Sequence, residues 1–561
     1  MRRLLLFLAF AAAPSALLAQ APQIYGRGIL NAASFMPAGL PAGSIARGAL
    51  FSIFGARLGP SSSPALAFPL ATNLGGTTVQ ITQGGTTVNA IPVFVSPGQI
   101  NAIMPSNAPL GVVSVYVTFG NSKSPPAPAR VVSDSVGIFT INGGGLGPGV
   151  MQNFVSASST PVNLPSVAAQ PGQTIILYGT GLGAGLNPDN VAPQAGNLPT
   201  KVEVFVGGQA AATSYSGRSP CCSGLDQLAF TLPSNVPLGC WVPVQVRTSG
   251  ATVSNTVTMA ISADGSPCSD SFNALTASFL GGKKIGLIGL LRTDVTEDVG
   301  LATSGKVTTD AGMLTFQQES PLPAAPFNAV LSLPPPGSCT AYTAAGDLFD
   351  GDPLPGSNDA GAKFLNAGTP FTLSNAADKR SMARPTSNAR NFQPLGYTYT
   401  GSLVPPSLFL SPGSFTLSGP GGPDVGAIQA AVTVPNPFGL TWTNQPSPPS
   451  ILTITRSQGL TVNWSGAPPD QPVIVFGGGV DLPTNSSGIF ACVAPAGSSS
   501  FTVPATALGN VPATRGNLLH SKGVVYVGAL PTSNPAAFSA SGLDVGAIVT
   551  GAFTGRTVIF Q

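Results

Sequence analysis

Charge is what this chain has least of: of 561 residues only 8% are charged, and histidine occurs once, at His520. Glutamate is confined to Glu203, Glu297 and Glu319, and tryptophan to Trp241, Trp442 and Trp464. Each scarcity removes a chemistry. One histidine excludes a zinc centre built on several imidazoles, and any Ser-His-Asp triad would have to use His520. That residue follows Asn517-Leu518-Leu519 with no nucleophile-elbow motif beside it, and reads as a solvated loop histidine. Glycoside hydrolysis needs two facing carboxylates. Glu203 alternates with Val202 and Val204, which places it on the solvent face of a strand, whereas Glu297 and Asp298 are adjacent in a polar turn and would point to opposite faces of any strand. The net charge of +3 comes with no basic stripe, which excludes nucleic acid as a partner. No run beyond the N-terminus reaches the roughly 18 apolar residues of a membrane-spanning helix.

What is abundant is glycine and proline, 69 and 56 residues, set among short alternating apolar runs. That pattern predicts many brief strands joined by tight turns, and the length predicts about four domains. Arg2 and Arg3 before the apolar run Leu4 to Ala13, with Ala19 as a small residue for cleavage, read as a signal peptide over 1–19. Leu17, three positions before the cut, departs from the small-x-small pattern, and no cysteine follows to take a lipid. The expected product is an exported, soluble chain starting near Gln20, secreted or held at the cell surface, with the periplasm as the other compartment.

One segment is written twice. Gln99-Ile-Asn-Ala-Ile-Met-Pro-Ser-Asn-Ala-Pro-Leu-Gly111 returns at Gln227 to Gly239 with Gln, Pro, Ser, Asn, Pro, Leu and Gly in register. Upstream, Phe54-Gly-Ala-Arg-Leu-Gly59 and Tyr178-Gly-Thr-Gly-Leu-Gly183 repeat in the same order, so the duplicated unit is a whole domain. In both copies the Pro-Ser-Asn-x-Pro-Leu-Gly run supplies turn residues between strands. The modules are placed at 23–141 and 142–265.

These residues carry a resemblance. Asn31-Ala-Ala-Ser-Phe35, Phe51-Ser-Ile-Phe-Gly55, Leu58-Gly-Pro60, Leu74-Gly-Gly76, Val95-Ser-Pro-Gly-Gln-Ile-Asn101, Gly137-Ile-Phe-Thr140, Pro171-Gly-Gln173 and Tyr178 to Gly183 resemble an uncharacterised acidobacterial (Solibacter-type) extracellular domain family. The match covers roughly the first 265 residues. It implies an all-β fold of tandem immunoglobulin-like (IPT/TIG-like) β-sandwich domains, with a binding or spacer role and no catalytic residues to carry over. In that family the segment usually closes a protein, whereas here nearly 300 residues follow it.

The remaining chain divides at Pro435 into a β-rich domain, 266–436, and an immunoglobulin-like sandwich, 437–561. It has its own echo: Phe415 to Gly419 followed by Asp424-Val-Gly-Ala-Ile428 returns as Phe538 to Gly542 followed by Asp544-Val-Gly-Ala-Ile548. Leu460, Val462 and Trp464 share one strand face, which makes Trp464 a core residue; Trp442, between two threonines, reads the same way, and Trp241 is left open. The polar stretch Asn375 to Asn391, with Lys379, Arg380, Arg384 and Arg390, reads as a loop. Asp347, Asp350 and Asp352, with Asp359 beyond a turn, are the candidate Ca²⁺ ligands, although the spacing lacks the third ligand and closing glutamate of an EF-hand, and a solvated Asp/Gly turn is the default reading. No other cofactor is expected.

Six cysteines in an exported chain read as three disulfides among 15 pairings. In an IPT-like sandwich the strand from Cys240 returns antiparallel through Thr252 to Ile261, which brings Cys268 near Cys240. That bridge closes a loop of roughly 27 residues, worth about 3 to 4 kcal/mol in the loop-entropy treatment. Cys221 and Cys222 bond each other or one reaches elsewhere; Cys339 and Cys492 form a staple between the two C-terminal domains, or Cys492 is a buried thiol. The functional expectation is a monomeric, non-enzymatic surface component, adhesive, scaffolding or ligand-binding, toward an extracellular glycan or protein. A polysaccharide-active or accessory carbohydrate-binding protein is the alternative. Recognition is expected in the loops of 266–436, with the two modules as spacers.

Overall fold

The computed structural model describes residues 21–298, 304–319, 332–346, 362–383, 396–399, 408–436, 438–446, 451–515 and 523–561. The signal peptide, the four candidate calcium ligands, Arg384, Arg390 and His520 lie outside them. The chain is all-β, with only short helical turns such as Thr276–Leu280 and Ala505–Leu508 among the described residues.

The duplication is repeated in three dimensions. In the first module the strands Leu50–Ala56, Gln99–Ile103, Thr86–Val95, Thr77–Gln83 and Gly111–Phe119 lie side by side in that order; the second sets Thr174–Thr180, Asp226–Thr231, Gln209–Arg218, Val202–Val206 and Gly239–Thr248 in the same order. Each module also bends one strand at the corresponding place. Thr86 to Ala90 pair with Thr77–Gln83, and the stretch from Ile91, shifted in register between Pro92 and Phe94, pairs with Gln99–Ile103. Gln209 to Ala211 pair with Val202–Val206, and the stretch from Ala212, shifted between Thr213 and Tyr215, with Asp226–Thr231. Such a bulge turns a strand from one sheet into another. Residues from both sheet segments therefore meet in one core: Phe51, Ile53 and Ile100 with Val79, Ile81, Val115 and Val117 in the first module, Ile175, Leu177 and Phe230 with Val204, Val244 and Val246 in the second. The repeated Pro-Ser-Asn run forms the same turn twice, Ala108 N donating to Pro105 O and Val236 N to Pro233 O.

Beyond the modules the boundary at 436/437 does not separate two sheets. One sheet runs from Ser338–Ala345 through Ser486–Ala494, Val473–Asp481, Gly523–Ala529 and Val545–Phe560 to Lys284–Asp298 and Ser304–Glu319, and then on to Ile428–Val434. Val545–Phe560 is the weld: Val545 to Arg556 pair in parallel with Ile285 to Thr296, and Ala552 to Val558 pair antiparallel with Gly523–Ala529. Hydrogen bonding across a strand of 16 residues satisfies more backbone than any loop contact could, which is why two segments distant in sequence share one sheet. The echoed loops touch, with Gly426 N donating to Ser541 O at 2.8 Å. Lys379–Ala383, expected in a loop, is a strand paired with Phe371–Ser374, because Met382 on its buried face packs in the core under Phe371 and Leu373. Glu297 and Asp298 end the strand Lys284–Asp298 opposite Gly305 and Ser304; they are not a turn.

Candidate functional site

The most built polar site lies where the two modules meet. The strand Gln209–Arg218 ends on Arg218, opposite Asp226 at the start of Asp226–Thr231, so the cross-strand register alone brings guanidinium and carboxylate together. Asp226 is fully buried and ion-paired to Arg218; its Oδ2 also accepts from Gly181 N and Leu182 N, both at 2.7 Å. Burial pushes the Asp226 carboxyl above its ordinary range, against the pull of Arg218 and of the two N–H donors. Arg218 Nη2 reaches Gly183 O, and Gly48 of the first module, at φ +70°, lies so close to that guanidinium that a Cβ would collide with it. Glycine there is a requirement of contact as much as of conformation.

Around this pair the modules are laced together. Leu50 N donates to Thr180 Oγ1 at 2.8 Å, and Thr180 Oγ1 donates to Gly224 O at 2.7 Å. Ser106 gives its N–H and hydroxyl to the two oxygens of Asp189, at 2.8 and 2.7 Å. Gly185 to Gly196, Arg218, Ser223 and Gly48 surround a cleft of about 230 Å³. The exposed Cys221–Cys222 disulfide lies in the adjoining loop.

The other sites named from sequence fall as follows. Cys240 is bonded to Cys268, with Cα atoms 5.3 Å apart, at the junction of the second module with the C-terminal half. Cys339 is bonded to Cys492 directly opposite it on the neighbouring strand, and the bridge joins segment 266–436 to segment 437–561. All three tryptophans are buried: Trp442 and Trp464 in the core of the C-terminal half, and Trp241 against Phe279, Ile285 and Ala547. None presents a flat face to solvent as a sugar platform. Glu203 lies opposite Arg247 and is hydrogen-bonded to it at 2.9 Å, which holds its carboxyl below the usual range.

Sequence reasoning passed over three buried acid–arginine clamps. Besides Asp226, Asp310 takes Arg292 in a two-pronged pair at 2.8 and 2.9 Å and accepts from Phe409 N and Leu410 N at 2.6 and 2.7 Å. Asp481 takes Arg515 at 3.1 and 2.6 Å. Burial alone would raise Asp481, but hydrogen bonds from Arg515 and Thr484 and the nearby positive charges outweigh it and hold the carboxyl low. One signal was legible: Asp226 stands directly before the repeated Gln where the first copy has Gly98. Among the described residues no three His, Cys, Asp or Glu side chains gather as a metal site, and no helix is long and apolar enough to cross a membrane.

No family model matches the chain, and no curated protein sequence matches it. Solved structures similar to parts of it include the plexin A4 extracellular region, domains 1 to 8 (15% identity, 40% of this chain and 16% of that chain, TM-score 0.15). SGBP-B from a complex xyloglucan utilization locus in Bacteroides uniformis has 13% identity over 68% of this chain and 86% of that one, TM-score 0.16. Domains 5-6 of the S-layer protein SbsC have 11% identity over 43% and 98%, TM-score 0.15. At these TM-scores the likenesses carry no argument about activity or ligand, and the chain spans about a sixth of the plexin chain. These comparisons give the Solibacter-type family expected from the sequence no support.

Proposed function

We propose that this chain is an exported, non-enzymatic, multi-domain β-protein that acts as an adhesive, scaffolding or ligand-binding component outside the cell. The observation that carries the reading is how its few charges are used. Asp226, Asp310 and Asp481 each lie beneath an arginine and accept further donors, so these carboxylates fasten loops to strands. A carboxylate so engaged has little freedom to exchange protons with a substrate, and a general acid or base needs that freedom. Disulfides at the junction and across the C-terminal sheet suit an oxidising compartment and a body that keeps its shape under load. The first 265 residues serve as a tandem immunoglobulin-like pair that holds the C-terminal half at a fixed orientation. Gln245 Nε2 donating to Thr506 O and Asn510 Nδ2 to Thr256 Oγ1, both at 3.1 Å, support that fixed relation.

The test is to present the mature exported chain to a glycan array and to immobilised extracellular proteins, and in parallel to incubate it with a polysaccharide panel. Retention without release of soluble fragments supports the proposal. Time-dependent release of oligosaccharides would favour the polysaccharide-active alternative and overturn it.

A further inference from the structure

The three disulfides differ in how far solvent reaches them. Cys240, Cys339 and Cys492 are buried and Cys268 is half-buried, whereas Cys221 and Cys222 are both exposed, following the exposed Pro220. They differ as well in what they enclose. Cys240–Cys268 and Cys339–Cys492 span 28 and 153 positions, but Cys221–Cys222 joins chain neighbours. A cross-link stabilises chiefly by constraining the unfolded chain, and more so the longer the loop it closes. A bond between neighbours encloses no other residue, so holding the fold together is its least service. Exposure makes it the bond of the three most open to attack by a thiolate.

Its surroundings give it something to control. Ser219 to Leu225 connect Arg218 to Asp226, the buried ion pair, and are closed at the base by Ser219 N donating to Leu225 O at 3.0 Å. Leu225 N donates to Cys222 O at 3.1 Å and Cys221 N to the Ser219 hydroxyl at 3.4 Å, so the bonded cysteines are tied to both ends of the loop. Gly224, at φ +78°, is buried against the first module: a Cβ there would lie 2.9 Å from the Leu50 side chain and 3.2 Å from that of Ile103. Its carbonyl accepts from Thr180 Oγ1, the same hydroxyl that takes the Leu50 N–H. Ser223 and Gly224 also wall the cleft between the modules, with Ser223 Oγ donating to Val191 O at 3.3 Å. While the sulfurs are bonded, the small ring fixes the peptide between the cysteines and aims Cys222 O at Leu225 N. Opening the ring returns rotational freedom to both residues, and the loosening passes through Leu225 to Gly224 and its contact with the first module.

We infer that Cys221–Cys222 is a thiol–disulfide exchange site for a dithiol reductant, and that its redox state sets how firmly the two modules are locked. A thiolate of the dithiol attacks one sulfur, the S–S bond breaks, and the reductant's second thiol resolves the mixed disulfide. Two electrons and two protons pass to the pair, so the chain gains two thiols and the dithiol becomes a disulfide. Exchange with a disulfide oxidant restores the ring. This chemistry does not depend on what the chain adheres to. Graded reduction of the mature exported chain with dithiothreitol, followed by alkylation with N-ethylmaleimide and peptide mass mapping, tests the site. The expected first product carries its labels on Cys221 and Cys222 alone, with Cys240–Cys268 and Cys339–Cys492 still closed. Oxidised glutathione added before alkylation should return the unlabelled chain. In the reduced chain the amides of Leu50 and Leu225 should exchange with deuterium roughly tenfold faster than in the oxidised one, while those of Val473–Asp481 keep their rate. The double variant Cys221→Ser, Cys222→Ser should show the faster rate with no reductant present. First labelling at any of the other four cysteines, or exchange at Leu50 and Leu225 indifferent to reduction, would overturn the inference.

Discussion

The two N-terminal modules and the C-terminal half solve the same problem, a β-rich chain with few charges, by opposite routes. Each module closes on itself: its central strands pair with one another, one bulged strand turns the corner, and the core belongs to residues within about 120 positions of one another. The C-terminal half is woven instead. Its sheet needs Val545–Phe560 between Lys284–Asp298 and Gly523–Ala529, and its edge strand Ser338–Ala345 lies on Ser486–Ala494. Local closure makes a unit that can be copied, as this one was. Weaving makes a unit that cannot be divided.

The largest effect expected from breaking this contrast is in the bridge that ties the weave. Replacing Cys339 and Cys492 by alanine removes a cross-link spanning 153 positions, which the loop-entropy relation puts at about 5 kcal/mol, against about 3.5 kcal/mol for the 28 positions of Cys240 and Cys268. Calorimetry should therefore show a greater fall in the C-terminal transition for the first pair than in either transition for the second. Next comes Asp226→Ala, which strands the buried Arg218 without its carboxylate and costs the tandem about 3 to 5 kcal/mol while leaving the C-terminal transition in place. Trp241→Ala removes the aromatic that packs on Phe279 at the junction; with a loss of about 3 kcal/mol it should split any shared transition of the two halves in two.

How much of this was open to a reader of the sequence follows the same division. The Gln99 and Gln227 repeat predicts equivalent strands and turns, and the modules show them, because short-range turn chemistry and alternation decide a locally closed fold. Trp464 on the apolar face of Leu460–Ser465 was legible for the same reason. The division at Pro435 does not coincide with a division of the sheet: the Pro-Asn-Pro turn is genuine punctuation, but pairing between Leu287 and Ala547, 260 positions apart, leaves no mark in a local pattern. Lys379–Ala383 reads as a polar loop because only Met382 of its five residues is buried, and its place in the sheet is set by the strand beside it. The acid–arginine clamps were invisible as pairs for the same reason, Asp310 lying 99 positions from the Phe409 N–H it accepts.

Acid separates the halves more gently. Glu203 and Asp481 are both held below their ordinary range, so each contributes stability that is present above the unfolded carboxylate range near pH 4 and lost as pH falls through the folded value. Asp481 is nearly buried, with 3% of its side chain exposed, against 31% for Glu203. A pH series of melting curves from 6 to 2.5 should therefore show the C-terminal half losing more than the second module, where solvent screening keeps the Glu203 pair below about 1 kcal/mol. The smallest effect is Ser106→Ala. It removes one hydroxyl donor to Asp189 and should lower the stability of the inter-module contact by about 1 kcal/mol without touching the C-terminal half.

Native-state hydrogen exchange on the intact chain tests the weave most directly. Amides of Lys284–Leu291, Ser338–Ala345, Ser486–Ala494 and Val545–Phe560 should exchange with one common opening free energy, distinct from that of each module. Opening of 437–561 as a separate unit, while the strands of 266–436 stay protected, would contradict the account.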